Sequence, residues 1–247
     1  MKQFLAGVAV AFLVGCGTTG TKSPVHVFEN SLGMRFVPIP GTYVQFSIWE
    51  TRVQDFAEFA KGNSVGDEKW KSSVLTHPAG VSWQDAVAFC VWLTQKEQKD
   101  GKITANHRYR LPTDIEWSIA SGMSVEPGLS PKARDRKVRK PFIYPWGDRW
   151  PPPRGAGNYS QIMGVDDFDG ASPVGSFAPN RQGLYDTGGN VWEWCQDWYD
   201  PEARKERVMR GASWASDRSG VMMLSFRQHY PPDFSVKGGF RCVLEGE

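Results

Sequence analysis

The chain has only four cysteines and four histidines in 247 residues, and neither type clusters. No Cys-x-x-Cys pair or Cys/His spacing suggests zinc. Charge of one sign is also missing: 29 Lys and Arg stand against 27 Asp and Glu, for a net charge of +2. That near balance argues against a dedicated nucleic-acid binder, and no nucleic-acid partner is expected. No Ser/His/Asp order and no glycine-rich phosphate loop stands out. What the chain has instead is 11 Trp, 26 Gly and 17 Pro. This is the composition of a loop-rich globule with an aromatic core, not of a helical bundle. No internal repeat or linker appears after residue 24, so a single domain is the economical reading.

The first apolar run, Phe4 to Val14 behind Lys2, is too short to span a bilayer as a mature helix. It ends in Leu13-Val14-Gly15-Cys16, which resembles the bacterial lipobox. Residues 1–15 then read as a lipoprotein signal peptide and 16–24 as a polar tether, with the folded domain over 25–247. Lipidation of Cys16 would anchor the protein to the membrane. Gly17 after it does not look like an inner-membrane retention signal. The expected location is the bacterial cell envelope, at the outer membrane or cell surface. There disulfides are permitted among Cys90, Cys195 and Cys242.

Alternating apolar segments at Val27–Phe36 and Tyr43–Ile48, with turn residues between, predict a β-hairpin region. Thr51 with Gln54 predicts a first helix, Ser82 with Asp85 a second, and Thr113 with Glu116 a short third. The basic run Lys132–Lys140 reads as a solvated loop. Pro141–Pro179 shows little regular pattern, and so long a loop needs something to hold it, metal being one candidate. Short strands are expected at Val191–Trp194, Val208–Arg210, Met222–Arg227 and Gly239–Leu244.

The densest motif is GLYDTGGNVWEWCQDWY, Gly183 to Tyr199. Glycines set among large aromatics mean close backbone approach and unusual φ. Its oxygens at Asp186, Asn190 and Glu193 suit either a hard cation such as calcium or the satisfaction of buried backbone donors. The run resembles the hallmark loop of the formylglycine-generating-enzyme (sulfatase-modifying-factor) family. Glu50-Thr51, HPAGVSW (77–83), YRLPTDIEW (109–117), YPWGD (144–148), RGASW (210–214) and GGFRC (238–242) match other family motifs in order. The resemblance implies an α+β, irregular, loop-rich C-type-lectin-like fold. It also implies structural calcium at Asn158, Tyr159, Asp166 and Phe168, and at Asp186, Gly189, Val191 and Glu193. A Cys90–Cys242 disulfide is found at matching positions in some relatives, which would leave Cys195 free.

The family's oxidase uses copper held by two cysteines, five positions apart, beyond the motif matching RGASW. No cysteine occurs from Ala215 to Gly238, so that activity is not expected and no catalytic cofactor is implied. The segment between RGASW and GGFRC instead resembles the variable region of diversity-generating-retroelement proteins of the Treponema variable protein type. There, adenine-directed mutagenesis rewrites Asn-type codons. Ala215, Ser216, Asp217, Phe226, His229, Tyr230, Phe234, Ser235 and Val236 fit such codons, whereas Met222, Met223, Gln228 and Lys237 do not. The expectation is a surface-displayed lipoprotein, not an enzyme, binding a protein or surface ligand through Ala215, Ser216, Asp217, Phe226, His229, Tyr230, Phe234 and Val236 as one solvent-facing patch. Arg210, Gly211, Trp214, Arg227, Gly239, Phe240 and Arg241 would be its fixed frame. A structural envelope lipoprotein, or a divergent enzyme without the copper cysteines, is the alternative.

Overall fold

The computed structural model describes residues 27–65, 71–72, 74–124, 128–136, 142–234 and 238–246. The leader, Cys16, Ser235, Val236 and Lys237 lie outside the described residues.

Two sheets carry the architecture. In the first, β1 (Phe28–Glu29), β2 (Arg35–Pro38) and β3 (Val44–Ser47) form an antiparallel meander. The order is β1-β2-β3-β9-β4, where β4 is Arg108–Arg110 and β9 is Val243–Glu245. β9 sits between β3 and β4, pairing antiparallel with both. The second sheet runs β7-β6-β5-β8: β5 is Trp192–Trp198, β6 Arg207–Arg210, β7 Gln228–Tyr230 and β8 Gly238–Gly239. Among the described residues, only the β5–β8 pairing is parallel.

Helices α1 (Val53–Ala60) and α2 (Trp83–Lys99) bury their apolar faces together with Phe240. Phe89 lies 5.8 Å from Phe56 and 5.5 Å from Phe240, ring centre to ring centre, so one aromatic knot joins both helices to the C-terminal segment. The caps of α2 and of α3 (Asp114–Ala120) are as the sequence predicts. Ser82 Oγ accepts from the Asp85 N–H, and Thr113 Oγ1 from the Glu116 N–H.

Helix α1 begins one residue later than the Thr51–Gln54 pair suggests. The Thr51 N–H donates to the Phe240 carbonyl and its own carbonyl accepts from Ala79, so its backbone is already committed to tertiary pairing. Asp55 instead accepts from the Arg52 N–H at 2.9 Å. The basic run is also not a solvated loop where it is described. Pro131–Arg136 is a short helix, α4, and Arg134 is half-buried, its guanidinium turned inward onto Asp114. Residues 137–140 of that run lie outside the described residues. A distant carboxylate, invisible in local pattern, draws Arg134 inward.

Candidate functional site

Gly183–Tyr199 forms a tight loop feeding β5. Asp186 and Asn190 adopt left-handed φ of 53° and 60°, and Gly189 one of 87°. Close approach is real at two glycines. A Cβ on Gly188 would lie 2.0 Å from Pro145 Cγ, and one on Gly189 only 2.4 Å from the Asn158 carbonyl oxygen. The loop organises the long region before it. Asn190 Oδ1 accepts from the Ser172 N–H, Asp186 Oδ2 from the Gly175 N–H, and Asn158 Nδ2 donates to the Gly170 carbonyl. Side chains of the loop thus pin a stretch whose described regular structure is one short 3-10 turn, Gln161–Met163.

Beneath the loop lies a dense set of buried acids. Glu193 has both oxygens occupied: Arg241 grips it through Nε and Nη2, and Trp117 Nε1 donates at 2.9 Å. Asp166 is likewise engaged, accepting from the Tyr159 and Phe168 N–H groups, both at 2.9 Å. By contrast Asp186 Oδ1, Asn158 Oδ1, Tyr159 Oη and Glu50 Oε1 are buried with no hydrogen-bond partner among the described residues. Burial, then the nearby Asp186 and Glu193 carboxylates, pushes the Glu50 pKa well up. Burial raises that of Asp186 to about 6. Buried oxygens without donors are costly, and a hard cation satisfies them. Asn158 and Asp186 therefore fit a calcium role, whereas Glu193 and Asp166 offer no unengaged oxygen. No group of three or more His, Cys, Asp or Glu among the described residues could hold a metal by itself. Amide and carbonyl oxygens such as those of Gly189 and Val191 would have to take part.

Glu50 is the residue sequence reasoning passed over. It sits in a matched motif, but the repulsion it receives from the Asp186 carboxylate, 136 positions away, arises only from the fold.

The segment after RGASW is framed by buried arginines. Arg210 and Arg227 both pair with Asp114 at the start of α3, and Arg134 joins them. Arg210 also lies 4.4 Å below the Trp117 ring. The Gly189 N–H donates to the Gly211 carbonyl and the Trp214 N–H to the Asn190 carbonyl, so the frame is stitched to the hallmark loop. Gly239 and Phe240 are buried as well.

Between these anchors the expected patch is only partly assembled. Ser216 is buried: its Oγ accepts from the Ser213 N–H and its carbonyl from the Ser160 N–H, making it a turn residue, not a contact residue. Ala215 is half-buried and Asp217 exposed beside Arg218. Phe226 leans on Trp192 at 6.0 Å and packs against the main core. The predicted strand Met222–Arg227 is instead the end of a helical turn, α5 (Ser219–Met222), followed by a bend, and β7 starts at Gln228.

Alternation along β7 then sends neighbours to opposite faces. His229 stacks on Tyr199 at 3.8 Å and contacts Glu206 at 2.8 Å. Tyr230 faces the other way, opposite Arg207 of β6, and stacks on Phe234 at 4.0 Å. The seven described members therefore do not form one continuous patch, and Val236 lies outside the described residues. Tyr230 and Phe234 form one half-exposed surface, and His229 belongs to another.

The three described cysteines are buried thiols. Cys90 and Cys242 sulfurs lie 3.6 Å apart without a bond, and burial raises the Cys90 and Cys195 pKa values well above normal.

The two curled sheets, sparse helices and long pinned loops define a C-type-lectin-like domain of the formylglycine-generating-enzyme type. Residues 23–246 match the sulfatase-modifying factor enzyme 1-like domain, and the chain belongs to that family. It is 36% identical over 173 residues to the mouse protein named inactive C-alpha-formylglycine-generating enzyme 2, covering 66% of this chain and 47% of that one. It is 30% identical to the formylglycine-generating enzyme of Thermomonospora curvata, over 85% of this chain and 64% of the relative. The chain thus spans roughly half to two thirds of the length of such relatives. Among solved structures, Treponema denticola variable protein 1 superposes with a TM-score of 0.58 at 19% identity, over 90% of this chain and 99% of that one. PvdO from Pseudomonas aeruginosa gives 0.61 at 18%, over 91% and 100%.

Proposed function

We propose that this chain is a lipid-anchored envelope receptor, not an oxidase, whose ligand is engaged at the surface built on β7. The observation that carries the reading is the half-exposed Tyr230–Phe234 pair, ring on ring, at the edge of a sheet whose frame is locked by buried arginines. Rigid aromatics on a fixed frame give contact area at little entropic cost. The chemistry agrees: the copper-holding thiolates that the family oxidase needs have no counterpart between Ala215 and Gly238. Retroelement-driven variation of the segment extends the reading, and the likeness of fold to Treponema denticola variable protein 1 supports it.

Resequencing codons 215–236 from independent isolates tests that extension. Substitutions should concentrate at adenine-type codons there, Tyr230 and Phe234 included, and leave Arg210 and Arg227 alone. Uniform conservation would discard it. Separately, incubating purified protein with copper and a sulfatase peptide should yield no formylglycine by mass spectrometry. Turnover would instead favour the divergent-enzyme reading, to which the 30% identical formylglycine-generating enzyme lends weight.

Phe226, Tyr230 and Phe234 all pack against the main core, so each replacement costs packing. The half-exposed pair is the milder probe: the Tyr230→Ser/Phe234→Ser double variant should lose about 1 to 3 kcal/mol of unfolding free energy and stay folded. A loss beyond that range in denaturant titration would show that the pair is structural.

Calcium belongs to the same proposal, at two places: one at Asn158 with nearby carbonyls, the other at Asp186 with nearby carbonyls and Glu50 as an added carboxylate. It would serve as a structural staple, neutralising buried oxygens. Calcium at a hundred times its Kd should stabilise by about 2.7 kcal/mol relative to chelator. Glu50→Gln should shrink that increment while stabilising the calcium-free protein. A melting temperature indifferent to calcium and chelator would remove the staple.

A further inference from the structure

A cavity of about 380 Å³ opens beside β4, β5 and β6. Trp83, Val87 and Val91 of α2 form one wall; Arg108, Gln196 and Arg207 contribute the other. Arg207 is the unusual member. Its guanidinium is held between two indoles, 3.7 Å from the Trp83 ring centre and 3.4 Å from that of Trp198. Nη1 donates to the Gln196 carbonyl at 2.6 Å, while Nε is buried with no partner among the described residues.

The other stacked or buried arginines of the fold meet a carboxylate. Arg134, Arg210 and Arg227 share Asp114; Arg241 holds Glu193; Arg110 bonds Glu116 and Glu245. Arg207 has no such ion pair among the described residues. Asp197 is near enough to favour its charge but turns its Oδ2 to the Asp114 N–H, and Arg204 repels it. Burial outweighs both influences and draws the Arg207 pKa down to about 10. A flat, desolvated guanidinium with unused donors, aimed beside an apolar wall, is a receptor for a flat anion.

We propose that this cavity binds a carboxylate carried on an apolar group. Arg207 takes the carboxylate through its planar fork, and the apolar group lies along Val87, Val91 and the Trp83 edge. The volume falls within the range of small-ligand sites, near its lower end. Arg207 stands opposite Tyr230 across the β6–β7 pair, so the cavity borders the Tyr230–Phe234 surface. It does not depend on the receptor reading, because none of its lining residues comes from the segment 215–237. A free small carboxylate and the C-terminal end of an apolar peptide share this chemistry.

The test is titration of the full chain with 3-phenylpropionate and with its neutral amide, followed through the Trp83 indole N–H resonance. The acid should shift that signal saturably, and the amide should bind at least about tenfold more weakly, the loss expected when a charge-assisted fork is removed. Arg207→Lys should weaken acid binding by about tenfold, since an ammonium lacks the bidentate geometry. Val91→Asp lies at an exposed position, so folding is preserved; it removes part of the apolar wall for both ligands and adds a repelling charge, so it should weaken the acid more than the amide. A peptide ending in Phe, compared with its C-terminally amidated form, distinguishes the sources. Tighter binding by the free-acid peptide than by 3-phenylpropionate assigns a chain end, and the reverse assigns a small molecule. Equal binding of acid and amide, no response to the acid at tens of millimolar, or a Val91→Asp protein that binds the acid as the parent does, each overturns the proposal.

Discussion

Asp114→Ala is expected to lose about 3 to 5 kcal/mol of unfolding free energy, the range for removing one partner of a buried ion pair. Here the loss should lie at the upper end, because three guanidiniums, from Arg134, Arg210 and Arg227, are left without their shared counter-charge. Domains of this kind hold only some 5 to 15 kcal/mol in all, so the variant should be largely unfolded near body temperature. Burial alone would raise the Asp114 pKa. The charges of Arg210 and Arg227, followed by Arg134, overcome it and bring the group to about 2. Arg210 is drawn down to about 10 by burial, still far above neutrality, so both partners stay charged.

The pH dependence follows from the sign. A depressed folded pKa gives stability that is full above the unfolded value, near 3.8, and lost as pH falls through 2. That contribution is about 2 kcal/mol, and acid titration of Asp114→Asn should lack this step. The exposed Arg154–Asp167 pair is the control. Both side chains are largely in solvent, and Asp167→Ala should move the melting temperature hardly at all. If the two variants melt alike, the clamp is not the keystone.

Arg241→Met should be comparably severe. Arg241 is the cation that grips Glu193, with Glu50 and Asp186 close by, and both it and Glu193 are fully buried. Removing it leaves three carboxyl groups facing one another, a loss of about 3 to 5 kcal/mol at neutral pH. If calcium occupies the adjoining oxygens, adding it should recover part of the deficit. Calorimetry of the variant with calcium and with chelator checks both points. A variant as stable as its parent would mean that the acids beneath the hallmark loop are already neutral.

Much of the fold was readable because its signals are local. Ser82/Asp85 and Thr113/Glu116 cap helices within three residues, and the period-two segments before residue 48 can bury their faces in only one way. The aromatic-glycine loop announced its own strained backbone. What escaped was set by partners far away in sequence. Thr51 looked like a cap until Phe240 and Ala79 claimed its backbone, and Arg134 looked solvated until Asp114 drew it in. The candidate site failed in the same way. Composition marked Ser216, His229 and Tyr230 as alike, yet a turn buries the first and strand alternation separates the other two. Register and burial are properties of the sheet, not of the residue list.

The position of β9 has a consequence for synthesis. Val243–Glu245 fills the slot between β3 and β4, so the sheet that begins before residue 30 cannot close until residues 243–245 have been made. Pairings so distant form late and slowly. A nascent chain therefore stays open through nearly all of its production. It also means that any stop codon arising between Ala215 and Val236 deletes the closing strand. Truncated products would be left with unpaired edges at β3 and β4 and become substrates for proteases. Only full-length chains can shut the fold, so the closing strand checks every change made upstream of it.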